Sequence, residues 1–268
     1  DNYDIRVSCG KLTVTPKNIT LKGASKTHTY DGTEFTDDEY EIAEQGFLSA
    51  LGHTVTVVAG GRIVYVGEVE NKLGATVTDM SGLDVTANYK FNIFNGKLKV
   101  IQAPLNVTTE SATKVYDGEA LTYDSGSVND ADLALGETAY VECVGSLAVV
   151  GETDNLCYVK VENQDGVDTT KCYEFIYTYG KLTVTKRPIT FVSSDLTKVY
   201  DGTPLYSDES SVSYGNDELV LGHSVVVTTN GSITVAGETN NTFTVVIYDG
   251  IENVTDYYQI KCDYGKLS

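Results

Sequence analysis

The sequence predicts an all-β or β-rich chain built from three small antiparallel modules in tandem, set out as a rod-like array. Three observations predict it. Aromatic or apolar residues alternate with mostly polar ones at Tyr89, Phe91 and Ile93, at Tyr173, Phe175 and Tyr177, and at Tyr258, Ile260 and Cys262, the two-residue period of a strand with one buried face. A strand with one wet face favours antiparallel pairing. Four short motifs also return in fixed order along the chain, and prolines rather than flexible spacers mark the joins between the copies.

The motifs set the period. Gly-Lys-Leu begins at Gly10, Gly96, Gly180 and Gly265, with spacings of 86, 84 and 85. Tyr-Asp-Gly begins at Tyr30, Tyr116 and Tyr200, and Leu-Gly at Leu51, Leu135 and Leu221. A Val-Gly-Glu or Ala-Gly-Glu begins at Val66, Val150 and Ala236, each followed by an asparagine, Asn71, Asn155 or Asn241. A period near 85 is too long for a solenoid unit and suits a small independent domain. The predicted organisation is therefore residues 1–15 as the last strand of a preceding repeat, then repeats at 16–102, 103–186 and 187–268. Gly265–Ser268 lacks the Thr-Val-Thr that follows Gly-Lys-Leu in other copies, so the sequence reads as a piece of a longer array.

Within each repeat the elements follow in order. Val55 and Val57, Ala139 and Val141, and Val225 and Val227 mark a strand. Asp31-Gly32, Asp117-Gly118 and Asp201-Gly202 lie between extended runs, which is a two-residue hairpin signal, and the tyrosine before each pair is expected to pack beside the turn. Asp37 to Leu51 is the one stretch that admits a short helix. Asp84–Tyr89 and Asp168–Tyr173 read as side-chain-capped turns entering the last strand; the tyrosine just after them is similar to the tyrosine corner of immunoglobulin-like sandwiches. After Gly96 and Gly180 the apolar parity flips, to Leu98 and Val100 and to Leu182 and Val184, which implies a bulge or sharp bend. Pro16, Pro104 and Pro188 sit at the joins and should stiffen them.

Composition excludes several classes. With 19 Lys and Arg against 38 Asp and Glu, the net charge is −19. That opposes a phosphate-backbone binder and a polybasic membrane-surface binder. Hydrophobic content of 41%, with 19 Tyr and 7 Phe, is enough to pack cores and opposes general disorder. No apolar run is long enough to span a bilayer.

Lys114-Val-Tyr-Asp-Gly118 and Thr197-Lys-Val-Tyr-Asp-Gly-Thr203, with the Leu-Gly-His, Val-Gly-Glu, Asp-Val-Thr-Ala-Asn-Tyr and Gly-Lys-Leu-Thr-Val-Thr segments around them, resemble the Tyr-Asp-Gly (YDG/MBG-like) repeats of large bacterial cell-surface proteins and adhesins. The match spans all three repeats, and the first departs from it where His28 replaces Lys114 and Lys198. The resemblance implies a β-rich module, with an immunoglobulin-like sandwich favoured and a β-grasp-like fold with one short helix as the alternative. It implies an extracellular setting on the bacterial surface, often anchored to a Gram-positive cell wall. The function it implies is that of a non-enzymatic stalk or spacer, the alternative being an adhesin that binds a host glycan, mucin or matrix protein.

The residues add little chemistry. The chain has three histidines, His28, His53 and His223, with Glu137 standing where His53 and His223 stand; that substitution pattern suits a tolerant, exposed strand start. No nucleophile–base or phosphate-loop motif is present, so no enzyme is expected. No cofactor is expected either, although Asn163–Asp168 and Asp79–Asp84 carry the oxygen ligands calcium uses. Among the five cysteines, Cys143 and Cys157 fall on core positions, Cys157 where Leu73 and Phe243 stand; they read as buried thiols, with a Cys143–Cys157 bridge as the alternative. Expected partners are neighbouring repeats of the same chain and, for an adhesin, a host ligand met by exposed Tyr123, Tyr140 or Tyr206.

Overall fold

The computed structural model describes residues 2–268 and is all-β, with a single six-residue α-helix among the described residues. It divides into two compact units. One holds the residues up to Leu105 with Asn129–Ala139 and Lys160–Ile176; the other holds Asn106–Val128, Tyr140–Val159 and Tyr177–Ser268. Among the described residues no helix is long and apolar enough to cross a membrane.

The first unit shows the strand plan. Its elements are β1 (Lys17–Gly23), β2 (Lys26–Thr29), β3 (Tyr40–Ile42), α1 (Gln45–Ala50), β4 (Thr54–Ala59), β5 (Gly67–Asn71), β6 (Leu73–Thr78), β7 (Tyr89–Phe94) and β8 (Gly96–Ile101). One sheet runs β3-β1-β7, a second β2-β8-β5, and β4 pairs with β6. The expected antiparallel pairing is present at β1–β3, β4–β6 and β5–β8. Two pairs are parallel as well, β1 with β7 from Lys17↔Tyr89 to Lys22↔Phe94, and β2 with β8 from Lys26↔Leu98 to Thr29↔Ile101. Side-chain alternation reports which face of a strand is buried and not which way its neighbour runs, so the parallel pairs were not legible.

These parallel pairs explain the parity flip. β1–β2 and β7–β8 run side by side and pass together from one sheet to the other. At the passage Gly96 lies so close to Ala24 that a Cβ would collide with the Ala24 carbonyl, and Gly180 meets Glu110 in the same way in the second unit. The glycine of Gly-Lys-Leu is thus a close-approach residue.

The core of the first unit is Ile19, Leu48, Val77 and Tyr89, with Ile42, Val55, Val85 and Phe91 against them. Strands form both walls, as in a sandwich, and α1 contributes Leu48. The helix admitted by Asp37–Leu51 is therefore present, and 3-10 turns at Asp130–Asp132 and Asn216–Glu218 occur in the corresponding parts of the later copies. In the second unit Arg187–Ser193 pairs in parallel with Tyr258–Asp263 and antiparallel with Val212–Tyr214, and His223–Thr229 pairs antiparallel with Phe243–Asp249. Ile189, Phe191, Phe243 and Ile247 fill the core between them.

The recurring asparagines Asn71, Asn155 and Asn241 are each fully buried. Asn71 Nδ2 donates to the Asp37 carbonyl at 2.8 Å, Asn155 to Glu110 and Tyr123 carbonyls at 3.1 and 2.9 Å, and Asn241 to the Ser194 carbonyl at 2.9 Å. Each satisfies backbone carbonyls that have no strand partner there, which is why an amide is retained in a core position.

Candidate functional site

The Tyr-Asp-Gly turn is built the same way three times. The aspartate Oδ1 accepts from the amide two residues on, Thr33, Glu119 or Thr203, at 2.9, 3.0 and 2.9 Å. The glycine takes φ of 80°, 85° and 82°. A basic side chain three residues earlier closes on the carboxylate: His28 Nε2 on Asp31 at 3.0 Å, Lys114 on Asp117 at 2.6 Å, Lys198 on Asp201 at 3.0 Å. His28 therefore takes the place of the lysine without loss of the contact. Hydrogen bonds from Thr33 hold Asp31 below the usual carboxylate range; the Lys114 ammonium does so first for Asp117; the Thr203 amide and hydroxyl bring Asp201 to about 2.

This turn is not the hairpin that the dipeptide suggests. A type I′ hairpin needs positive φ at both central residues, and among the described residues only glycines have positive φ. β2 accordingly pairs with β8, not with the chain that follows the turn.

The turn instead aims its tyrosine. The backbone amide of Tyr30 bonds to the Ile101 carbonyl at 2.9 Å, and that of Tyr116 to Thr185 at 2.9 Å, so each tyrosine stands beside the end of its own repeat's last strand. Tyr30 and Tyr116 are 5% and 4% exposed, and what buries them belongs to the next repeat.

In the first unit, the Tyr30 hydroxyl donates to Glu137 Oε1 at 2.6 Å, and Tyr173 donates to Oε2 of the same carboxylate. The Ala134 amide donates to the Tyr173 hydroxyl at 2.8 Å. The Tyr30 and Tyr173 rings meet edge to face at 5.6 Å, a favoured aromatic geometry. Gly32 sits against Ala134, where a Cβ would fall 3.0 Å from the alanine Cβ. Burial first, and the bond to Glu137 second, push both phenols well above the usual tyrosine value.

In the second unit Tyr116 packs on Tyr257, His223 and Tyr258, with ring centroids at 5.0, 5.9 and 6.1 Å. The Tyr258 hydroxyl lies 2.8 Å from His223 Nδ1 and accepts from the Val220 amide at 3.1 Å. Arg187 fastens the backbone, donating from Nη1 to the Tyr116 carbonyl at 3.4 Å and from Nε to Glu218 at 2.7 Å. The receiving half is thus an acid or histidine at the start of one strand and the tyrosine that starts the last strand. His53 and Tyr89 form the same pair, 2.6 Å between Nδ1 and the hydroxyl.

Two expectations are corrected here. His53, Glu137 and His223 do not mark an exposed strand start: the His223 side chain is 3% exposed, and all three are partners of a tyrosine hydroxyl. The Tyr-Asp-Gly tyrosine does not simply pack beside its own turn. The signal was present, because a tyrosine recurs at 89, 173 and 258 beside a hydrogen-bonding residue at 53, 137 and 223, but alignment of the copies does not show what one copy presents to the next.

The three tyrosines singled out as ligand contacts, Tyr123, Tyr140 and Tyr206, are 39%, 55% and 66% exposed, and no contact joins one to another among the described residues. Cys143 is half-buried, Cys157 and Cys172 are buried, and all five thiols are unpaired; burial pushes the Cys143, Cys157 and Cys172 thiols up. In the oxygen-rich loops, Asp79 Oδ1 accepts from Ser81 and Leu83 amides at 2.8 and 3.0 Å, and Asn163 Oδ1 from Asp165 and Val167 at 3.0 and 2.9 Å. Those oxygens cap their own turns. No cluster of three His, Cys, Asp or Glu side chains suited to a metal occurs among the described residues.

No family model matches the chain, and no curated protein matches it. Among solved structures it is similar to Drosophila N-cadherin EC1-3, at 11% identity over 78% of this chain and 80% of that chain, with a TM-score of 0.24. It is similar also to Drosophila N-cadherin EC1-4, at 10% identity over 92% of this chain and 74% of that one, with a TM-score of 0.18. Scores this low carry no assignment; fold and site rest on the strands and side chains described above.

Proposed function

We propose that the chain is a run of non-enzymatic structural repeats, a stalk or spacer in a bacterial surface protein of the Tyr-Asp-Gly repeat type, working outside the cell and anchored to the cell wall. The observation that carries the reading is the burial of Tyr30 and Tyr116 in residues of the following repeat. A repeat that spends its most distinctive motif on holding its neighbour is built to transmit position and load. The short proline-bearing joins at Pro104 and Pro188 serve the same end.

The exposure of Tyr140 and Tyr206 favours an adhesive second reading. Both are tested by small-angle scattering together with a binding panel of mucins, glycans and matrix proteins, with and without calcium. A stalk gives an extended, stiff particle and no saturable binding. A compact particle contradicts the stalk, and saturable binding abolished by Tyr140→Ala or Tyr206→Ala replaces it with the adhesin.

A further inference from the structure

Two cysteines of the second repeat face each other across a strand pair. In the first copy β4 and β6 set Ala59 opposite Leu73, and in the third copy His223–Thr229 and Phe243–Asp249 set Thr229 opposite Phe243. One backbone bond follows each of these pairs, from Gly60 to the Lys72 carbonyl and from Asn230 to the Thr242 carbonyl, both at 2.9 Å. In the second copy Thr138–Cys143 pairs with Cys157–Glu162, and the Val144 amide reaches the Leu156 carbonyl at 2.7 Å. Cys143 stands where Ala59 and Thr229 stand, and Cys157 where Leu73 and Phe243 stand. The shared register therefore sets Cys143 opposite Cys157.

The geometry of this pair suits a covalent bond. Cys143 lies on the inner face of its strand with Val141, and Cys157 on the inner face of its own with Val159, so both side chains project from one face of the pair. The Cys143 amide donates to Asp124 Oδ1 at 3.0 Å rather than across the ladder. That marks the antiparallel pair without mutual hydrogen bonds, in which the Cα atoms stand about 4.5 Å apart. Disulfides span Cα separations of about 4.4–6.8 Å. Cys143 is half-buried and Cys157 is buried, so solvent meets one thiol and that thiol meets the other.

We propose that Cys143 and Cys157 form a redox clasp, two thiols that a low-molecular-weight disulfide oxidises to one intramolecular disulfide. The Cys143 thiolate attacks the small disulfide and displaces one small thiolate. The Cys157 thiolate then attacks the Cys143 sulfur of the mixed disulfide and displaces the second. The two protons given up by the cysteines end on the two small thiols, which are the reduced product. The bond closes Val144–Leu156 into a ring that includes the buried Asn155. The other copies have no cysteine at either position, so the clasp belongs to the second repeat alone. The inference rests on strand register and is independent of the stalk reading; the bond persists only in oxidising surroundings.

The test incubates the reduced full chain with glutathione disulfide at mildly alkaline pH, followed by alkylation and digestion with trypsin. No Lys or Arg lies between Lys114 and Lys160, so one peptide, residues 115–160, carries both cysteines. Its mass should fall by two hydrogens, with no alkyl group and no glutathione attached. At the same glutathione ratio in urea, closure should be at least about tenfold less favourable, because the fold supplies the register. Cys157→Leu and Cys143→Ala place the residues of the first copy at these positions and keep the strand pair. Cys157→Leu should trap glutathione on Cys143, and Cys143→Ala should leave Cys157 unmodified in the folded chain. A peptide that stays alkylated or keeps glutathione, closure as favourable in urea as in the native chain, or glutathione trapped on Cys157 rather than on Cys143 overturns the proposal.

Discussion

Tyr30 donates a 2.6 Å hydrogen bond to Glu137, a residue 107 positions later in the chain. The same carboxylate accepts from Tyr173, so one acid holds the tyrosine of one repeat against the tyrosine of the next. At the corresponding joint no acid accepts from Tyr116: its hydroxyl makes no hydrogen bond among the described residues, its ring rests on Tyr257, Tyr258 and His223, and the nearby Asp249 carboxylate lies 3.9 Å from His223 Nε2.

This difference separates the two joints by a single atom. Tyr30→Phe removes a hydrogen bond to an ionised acceptor and should cost about 1.5–3 kcal/mol. Tyr116→Phe keeps the ring and should cost less than about 0.5 kcal/mol. Urea unfolding followed by far-ultraviolet circular dichroism gives both values.

The Glu137 joint should also weaken in alkali. Tyr30 and Tyr173 have folded-state pKa values raised above the ordinary 10.0 by burial and by the bond to Glu137. A raised pKa means that the folded state holds its proton more tightly. The stability this represents is complete below pH 10 and is lost as the pH rises from there towards the folded-state values. The loss should be about 1.4 kcal/mol per pH unit for each phenol. Unfolding free energy measured against pH should fall above pH 10, less steeply in Tyr30→Phe.

The thiols should sort by burial. Cys9 is exposed, whereas Cys157 and Cys172 are buried with their thiols pushed up, and the thiolate is the reactive form. A thiol reagent at mildly alkaline pH should label Cys9 quickly and Cys157 and Cys172 only after unfolding. Denatured protein should give five free thiols with or without reductant; three without reductant would show a disulfide, the Cys143–Cys157 bridge being the first to examine.

The crossing between sheets and its asparagine should be the least tolerant features of each repeat. Asn241→Ala leaves the Ser194 carbonyl without the amide that reaches it at 2.9 Å, at a cost of about 1–3 kcal/mol. Gly96→Ala places a methyl group on the Ala24 carbonyl and should keep the first repeat from folding as it does. Thermal unfolding of the two variants ranks them, Gly96→Ala the lower.

Much of this was legible in the sequence. The parity flip after Gly96 located the crossing, and the core position of Cys157 followed from Leu73 and Phe243. The capped turns entering the last strand are 3-10 turns at Thr86–Asn88 and Thr170–Cys172, with Asp84 and Asp168 accepting from Thr86 and Thr170. Three things were not legible. Alternation in β1 and β7 carries no direction, so their parallel pairing stayed hidden. Asp31-Gly32 signals a turn without saying what its flanks pair with. Tyr30 and Glu137 meet only because one repeat ends where the next begins, and a comparison of copies aligns equivalent residues while saying nothing of the unlike ones that touch.

The central claim is that the Tyr-Asp-Gly tyrosine joins one repeat to the next, and its most direct test compares one substitution at three equivalent positions. Urea unfolding of dilute Tyr30→Ala, Tyr116→Ala and Tyr200→Ala should show the first two destabilised by about 3 kcal/mol or more, as expected for a buried aromatic side chain. Tyr200→Ala should match the unmodified protein within about 0.5 kcal/mol. Equal losses at all three positions would mean that the tyrosine serves its own turn, and would contradict the account.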